Sequence, residues 1–277
     1  MRQVELRRTV LALAAVLVTV AACGQSGPVP PRPGDDVRPT RDLTPMFPGA
    51  EALPPPDLTD DGPGSLVELK PVKGDPSFDE AGATAARIVY RSTIGVDGRP
   101  IQVSGLIAVP PGPAPKGGWP IISFGHDTTG LLPKCAPTLA PQFWGYSTGM
   151  TVYLRRGFAI VLSDYQGLGI DPGSSARQHS ILDATSLGNS IIDAARAIHR
   201  AVPSTSTNWG ALGAGEGGLA AWAAAERNGT YGAGMNMVGA VAVNPIADLA
   251  PLADPDRTAA LATPDQYRLQ IRALQSL

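Results

Sequence analysis

The sequence predicts an α/β fold: a mostly parallel sheet with helices on both faces. Three observations carry this. Short continuous apolar runs, Trp119 to Phe124 and Phe158 to Ser163, suit strands buried on both sides of a parallel sheet, and Val238 to Val243 reads as a further strand. Between them, Leu187, Ile191, Ala195 and Ile198 recur at near-helical spacing until Pro203. A strand-turn-strand pattern precedes both, so the alternation of strand and helix follows an opening hairpin.

Composition sets outer bounds. The chain has 277 residues, 43% of them hydrophobic, and a formal net charge of −2. That is enough apolar material for a sizeable core and gives no sign of nucleic-acid binding. Residues 1–22 read as a signal peptide. Arg2, Arg7 and Arg8 form a basic start, and the apolar stretch Thr9 to Ala22 is shorter than the ~20 residues that span a bilayer. It ends in Val20-Ala21-Ala22-Cys23, which resembles a bacterial lipobox. The expectation is an exported protein, lipid-anchored through Cys23 to the outer face of the cell membrane. A plain secretory signal with an incidental cysteine is the alternative. Residues 23–65 are rich in proline and read as an extended, largely disordered tether, leaving 66–277 as the folded domain. Cys135 then has no second cysteine in the mature chain. It is a partly buried thiol or the half of a pair whose partner lies elsewhere.

Within the domain, Ala86 to Thr93 reads as a strand, Gly95 to Gly98 as a turn and Ile101 to Pro110 as the returning strand. A weak strand, Trp209 to Leu212, leads into a glycine-rich turn. Gly217 to Glu226 reads as the helix after it, its small residues allowing close approach to the sheet. Thr263, Pro264 and Gln266 form a capping box with proline at the first helical position, the start of a last helix.

The turn Gly213-Ala214-Gly215-Glu216-Gly217-Gly218 has the outline of a nucleophile elbow, G-x-S-x-G, with Gly215 where the serine would stand. Three other segments occur in order with it. They are Tyr90-Arg91-Ser92-Thr93; Gly125-His126-Asp127-Thr128-Thr129-Gly130 followed by Cys135-Ala136-Pro137; and Asp164-Tyr165-Gln166-Gly167-Leu168-Gly169. Together they resemble the secretory lipase family of α/β-hydrolases, lipase A-like enzymes and exported actinobacterial esterases. The resemblance spans roughly residues 66–248.

It implies an α/β-hydrolase fold and triacylglycerol lipase or carboxylesterase chemistry without cofactor or metal. By this resemblance the Gly125 to Gly130 loop helps form the oxyanion hole, with Asp127 in place of the usual second glycine. The other donor is the backbone N–H of Glu216. A Cβ at position 127 requires a backbone that tolerates it. Asp164 and Tyr165 fall at a strand's C-terminal end, where ligands of open α/β sheets bind, and with His126 they are the cleft candidates. Trp144, Tyr146 and Tyr153 are further lining candidates, or core.

The departures point the other way. Gly215 has no hydroxyl, so no acyl-enzyme forms there. The histidines, His126, His179 and His199, all precede the elbow, whereas the family order is serine, acid, histidine. By the resemblance the chain ends at Leu277 within the helical cap, so the last strands and two triad members are expected to be absent. Glu216 as a carboxylate nucleophile in a shifted frame is disfavoured, because no later histidine would activate water for deacylation. Three readings remain. The first is an impaired or inactive lipase-family lipoprotein that binds an acyl or ester ligand. The second is a working lipase or esterase of lipid catabolism, and the third a vestigial, shortened gene product.

Overall fold

A computed structural model describes residues 53–170, 179, 181–247 and 271, all within the second of two compact units, Thr44–Leu277. The signal segment, Cys23, most of the tether and the helix start at Thr263 lie outside the described residues.

Seven strands form one sheet in the order β1-β2-β3-β5-β4-β6-β7. They are β1 (Leu66–Val72), β2 (Thr84–Thr93), β3 (Pro100–Val109), β4 (Trp119–Gly125), β5 (Ala159–Ser163), β6 (Thr205–Ala214) and β7 (Asn236–Val243). The sheet is mixed. β1, β2, β3 and β5 are joined antiparallel, and β5, β4, β6 and β7 parallel. The parallel half needs crossovers, and helices supply them. They are α1 (Pro76–Ala81), α2 (Tyr146–Leu154), α3 (Ala184–Ala201) and α4 (Glu216–Tyr231).

Strand alternation divides the apolar side chains between two cores. Ile107 and Val161 face one core with Ile121 and Trp209, covered by α3 and α4 through Ile191, Ile198 and Ala220. Their neighbours Leu106, Ile160 and Leu162 face the other, covered by Phe78 of α1 and Met150 and Leu154 of α2. Helices therefore cover both faces, as the apolar runs predicted.

The sequence reading missed three elements. β1 is an edge strand whose sequence, LVELKPV, is mostly half-exposed and carries no clean alternation. α1 is short but well capped. The Asp75 side chain accepts from the Ser77 and Phe78 N–H groups, Pro76 begins the helix, and Gly82 ends it at φ 63. α2 follows four consecutive left-handed residues, Gln142, Phe143, Trp144 and Gly145, at φ 48, 50, 53 and 85. Residues 53–65, read as tether, dock at their C-terminal end. Arg200 pairs with Asp60 at 2.9 Å, Arg91 donates to the Asp60 carbonyl at 3.1 Å, and Ser65 is buried.

Candidate functional site

The C-terminal ends of β4, β5 and β6 lie side by side at the centre of the sheet, Gly125 paired with Ser163 and with Gly213. The loops leaving them bring together residues that are far apart in sequence. β6 runs on to Ala214 and α4 begins at Glu216, so a single residue, Gly215, makes the turn. Its backbone, φ 58 and ψ −119, is one that a side chain tolerates only with strain of roughly 1–3 kcal/mol. The turn is pinned on both sides. Gly215 N–H donates to Val243 O at 3.0 Å, and its carbonyl accepts from Leu219 and Ile246 at 3.1 and 3.2 Å. Gly217 lets α4 start directly against the β4 turn, since a Cβ there would fall under 3.0 Å from the Gly125 carbonyl. The result is a tight strand-to-helix turn with a glycine as its single connecting residue.

Asp127 lies beside this turn, where a side chain on Gly215 would point. A Cβ built on Gly215 would come within 3.0 Å of Cγ and both carboxylate oxygens of Asp127. Oδ1 accepts the Thr128 N–H at 2.7 Å and the Glu216 N–H at 3.2 Å. The Asp127 N–H donates to the Tyr146 hydroxyl at 3.1 Å. Asp127 is not among the described non-glycine residues with positive φ, so the backbone there accommodates a Cβ. Both backbone donors that the sequence reading assigned to an oxyanion hole thus have acceptors within the chain.

Beneath this surface lies a buried polar stack. His126, Tyr165 and His179 lie in series, with ring centroids 4.3 and 5.7 Å apart. Tyr165 donates from its hydroxyl to the His126 carbonyl at 3.0 Å. Burial holds the His126 imidazole below its ordinary pKa, so it is neutral at pH 7. Its Nδ1 is 2.7 Å from the Asp127 carbonyl, which can only accept, so Nδ1 carries the proton.

His179 behaves oppositely. Burial pushes it down, but the Glu216 carboxylate at 2.5 Å from Nε2 outweighs this and holds the imidazole above its ordinary value. Its Nδ1 donates to the Gln166 carbonyl at 2.9 Å. Glu216 is fully buried, and its second oxygen, Oε2, has no hydrogen-bond partner among the described residues. Glu216 is therefore bonded to a histidine after all, but a carboxylate with no solvent exposure is not a nucleophile that a substrate can reach.

His126, Asp164 and Tyr165, the cleft candidates, are 1%, 0% and 0% exposed. Asp164 accepts from the Ser104 hydroxyl at 2.5 Å, the Thr138 N–H at 3.0 Å and the Thr138 hydroxyl. It ties β3 and the 137–139 turn to the end of β5. Of the other aromatic candidates, Trp144 is half exposed and Tyr153 packs on the second core. Tyr146 alone reaches the site. An apolar recess of about 250 Å³, lined by Leu182, Leu219, Trp222 and Ile246 among others, lies along the first turns of α4. Among the described residues no three His, Cys, Asp or Glu side chains converge as a metal site.

His179 escaped the sequence reading because its partner is 37 residues away and no local pattern marks it. The contact between Asp127 and Gly215 spans a still longer separation.

A family model described as secretory lipase matches residues 138–257. No curated protein matches the chain. Among solved structures, lipase A of Candida antarctica in its closed state superposes at TM-score 0.52 with 20% identity, covering 65% of this chain and 41% of that one. The rice cell wall degrading esterase LipA of Xanthomonas oryzae superposes at 0.53 with 22% identity, covering 67% and 51%. A Legionella pneumophila protein described as a putative hydrolase gives 0.50 with 19% identity, covering 65% and 52%. The chain spans about half the length of these structures, or less, and at such identities the likeness is one of fold. Residues 138–257 are thus similar to the secretory lipase family, and the sheet has the α/β-hydrolase fold of these structures.

Proposed function

We propose that this is an exported, lipid-anchored member of the lipase/esterase kind that has lost serine-dependent ester cleavage and retains the capacity to bind an acyl or ester ligand. The observation that carries the reading is Gly215. It stands at the single-residue turn between β6 and α4, in the backbone conformation of a nucleophile, without a side chain. Loss of the nucleophile costs on the order of 10⁶ in kcat in a serine protease in which it was removed. The residue of catalysis that survives such a loss, about 10³–10⁴ over water, comes from binding and the oxyanion hole. The apolar recess beside α4 supports a ligand with an alkyl chain. The lipobox-like Val20 to Cys23 supports the anchor.

A fluorophosphonate probe, with p-nitrophenyl butyrate turnover alongside, tests the central point. The expected result is no phosphonyl adduct and no turnover above buffer. A stoichiometric adduct on a serine, with hydrolysis that the probe abolishes, overturns the reading. A ligand-binding role predicts that the thermal midpoint rises with octyl acetate concentration. Metabolic labelling with an alkyne fatty acid, lost in Cys23→Ser, tests the anchor.

A further inference from the structure

We infer that Asp127 and Gly215 form an interlocked pair that closes the oxyanion site from within, so that a ligand of this protein is held by its apolar chain and not by its carbonyl. This rests on the ligand-binding reading above for its second half; the interlock itself does not.

The space a nucleophile side chain would occupy on Gly215 is filled by the Asp127 carboxylate, all three of whose terminal atoms lie within 3.0 Å of a Cβ built there. That carboxylate is held by two backbone donors, Thr128 N–H at 2.7 Å and Glu216 N–H at 3.2 Å. The Glu216 N–H is at the first turn of a 16-residue helix, where a negative group is favoured by the aligned peptide dipoles. The second donor that could polarise a carbonyl, the Asp127 N–H, is taken by the Tyr146 hydroxyl at 3.1 Å. An ester carbonyl entering here would have to displace a charged acceptor from one donor and a phenol from the other. It would also approach a carboxylate oxygen, Oδ2, that makes no hydrogen bond among the described residues and repels a carbonyl dipole oriented toward those donors. Asp127 is exposed, so it meets any ligand that reaches the turn.

Two measurements test this. The first is a double-mutant cycle of Gly215→Ala and Asp127→Ala by urea unfolding. Backbone strain at position 215 is common to both backgrounds and cancels, so the coupling reports the interlock. Gly215→Ala is expected to lower the midpoint clearly with Asp127 present and much less in the Asp127→Ala background. Equal losses overturn the interlock. Should the double variant not fold, the Glu216 amide resonance gives the same answer in single variants. It is expected to move with the titration of Asp127 in the parent and in Glu216→Gln, and to stop moving in Asp127→Asn; movement that persists in Asp127→Asn overturns the interlock.

The second measurement compares octyl acetate with ethyl octyl ether, which lacks the carbonyl. The parent is expected to bind both equally, and Asp127→Ala to favour the ester by about two- to tenfold, the worth of one net hydrogen bond. A preference for the ester already present in the parent and unchanged in Asp127→Ala overturns the claim about recognition. Binding of neither compound by either protein overturns the ligand-binding reading of the preceding subsection and leaves the interlock to be judged by the cycle.

Discussion

Asp164 and Glu216 are both fully buried carboxylates within reach of the same turns, and they are solved in opposite ways. Asp164 receives an N–H and two hydroxyls, from Ser104 and Thr138, and so joins a strand, a turn and a strand end into one knot. Glu216 has one partner, the His179 imidazole, and an oxygen with none among the described residues. A buried carboxylate is costly unless its lone pairs are used. The first carboxylate is a completed structural element. The second is held by a single charged contact and by its place at the start of α4, where the helix dipole favours it. Two residues of one type and equal burial thus differ in how much of the fold depends on each.

Substitutions separate the roles of the two carboxylates. Asp164→Ala should have the largest effect, a loss of about 3 kcal/mol in urea unfolding, because it leaves buried donors of Ser104 and Thr138 unpaired. A loss no larger than that of a surface change would remove Asp164 from the frame of the fold. Gly215→Ser should come next, at roughly 1–3 kcal/mol of backbone strain together with displacement of Asp127, and should restore no more than trace esterase activity. Glu216→Gln should cost about 1–2 kcal/mol while lowering the His179 pKa, read by NMR titration of the imidazole.

The pH dependence gives the sign. The folded His179 titrates above its ordinary value of about 6.5, so the pair's contribution is complete below that value and fades as pH rises through the folded one. In Glu216→Gln this alkaline loss should vanish. The exposed pair Arg155–Glu80, 3.1 Å apart, supplies the lower bound: Arg155→Ala should change stability by less than about 0.5 kcal/mol.

The centre of the sheet was legible because its strands are buried and therefore apolar along their length, whereas β7 reads as an apolar run although most of its residues are exposed. Ala159 to Ser163 is an example of the first kind, with every residue buried. β1 was not, because an edge strand with one half-exposed face carries lysine and proline among its apolar residues. α1 is marked by its ends, Asp75 as cap, Pro76 in the first turn and Gly82 as stop, because six residues are too few to carry a helical period. β6 and α4 are longer at both ends than the sequence suggested, since the elbow requires only Gly215 between them. The motif turns lie, as their sequence positions suggested, at the C-terminal ends of β4, β5 and β6. What the turns did not reveal is orientation. Asp164 and Tyr165 sit at a strand end but face inward, and His179 reaches the elbow from a part of the chain with no motif at all. Such pairings are set by tertiary packing, which no local pattern encodes.

The crowding between Asp127 and Gly215 also has a direction in time. Any L-amino acid entering position 215 meets the Asp127 carboxylate, so a mutation there is penalised while Asp127 remains. A mutation of Asp127 alone meets no such obstacle. Substitutions at the two positions are therefore ordered: a side chain enters position 215 without that clash only once position 127 has changed.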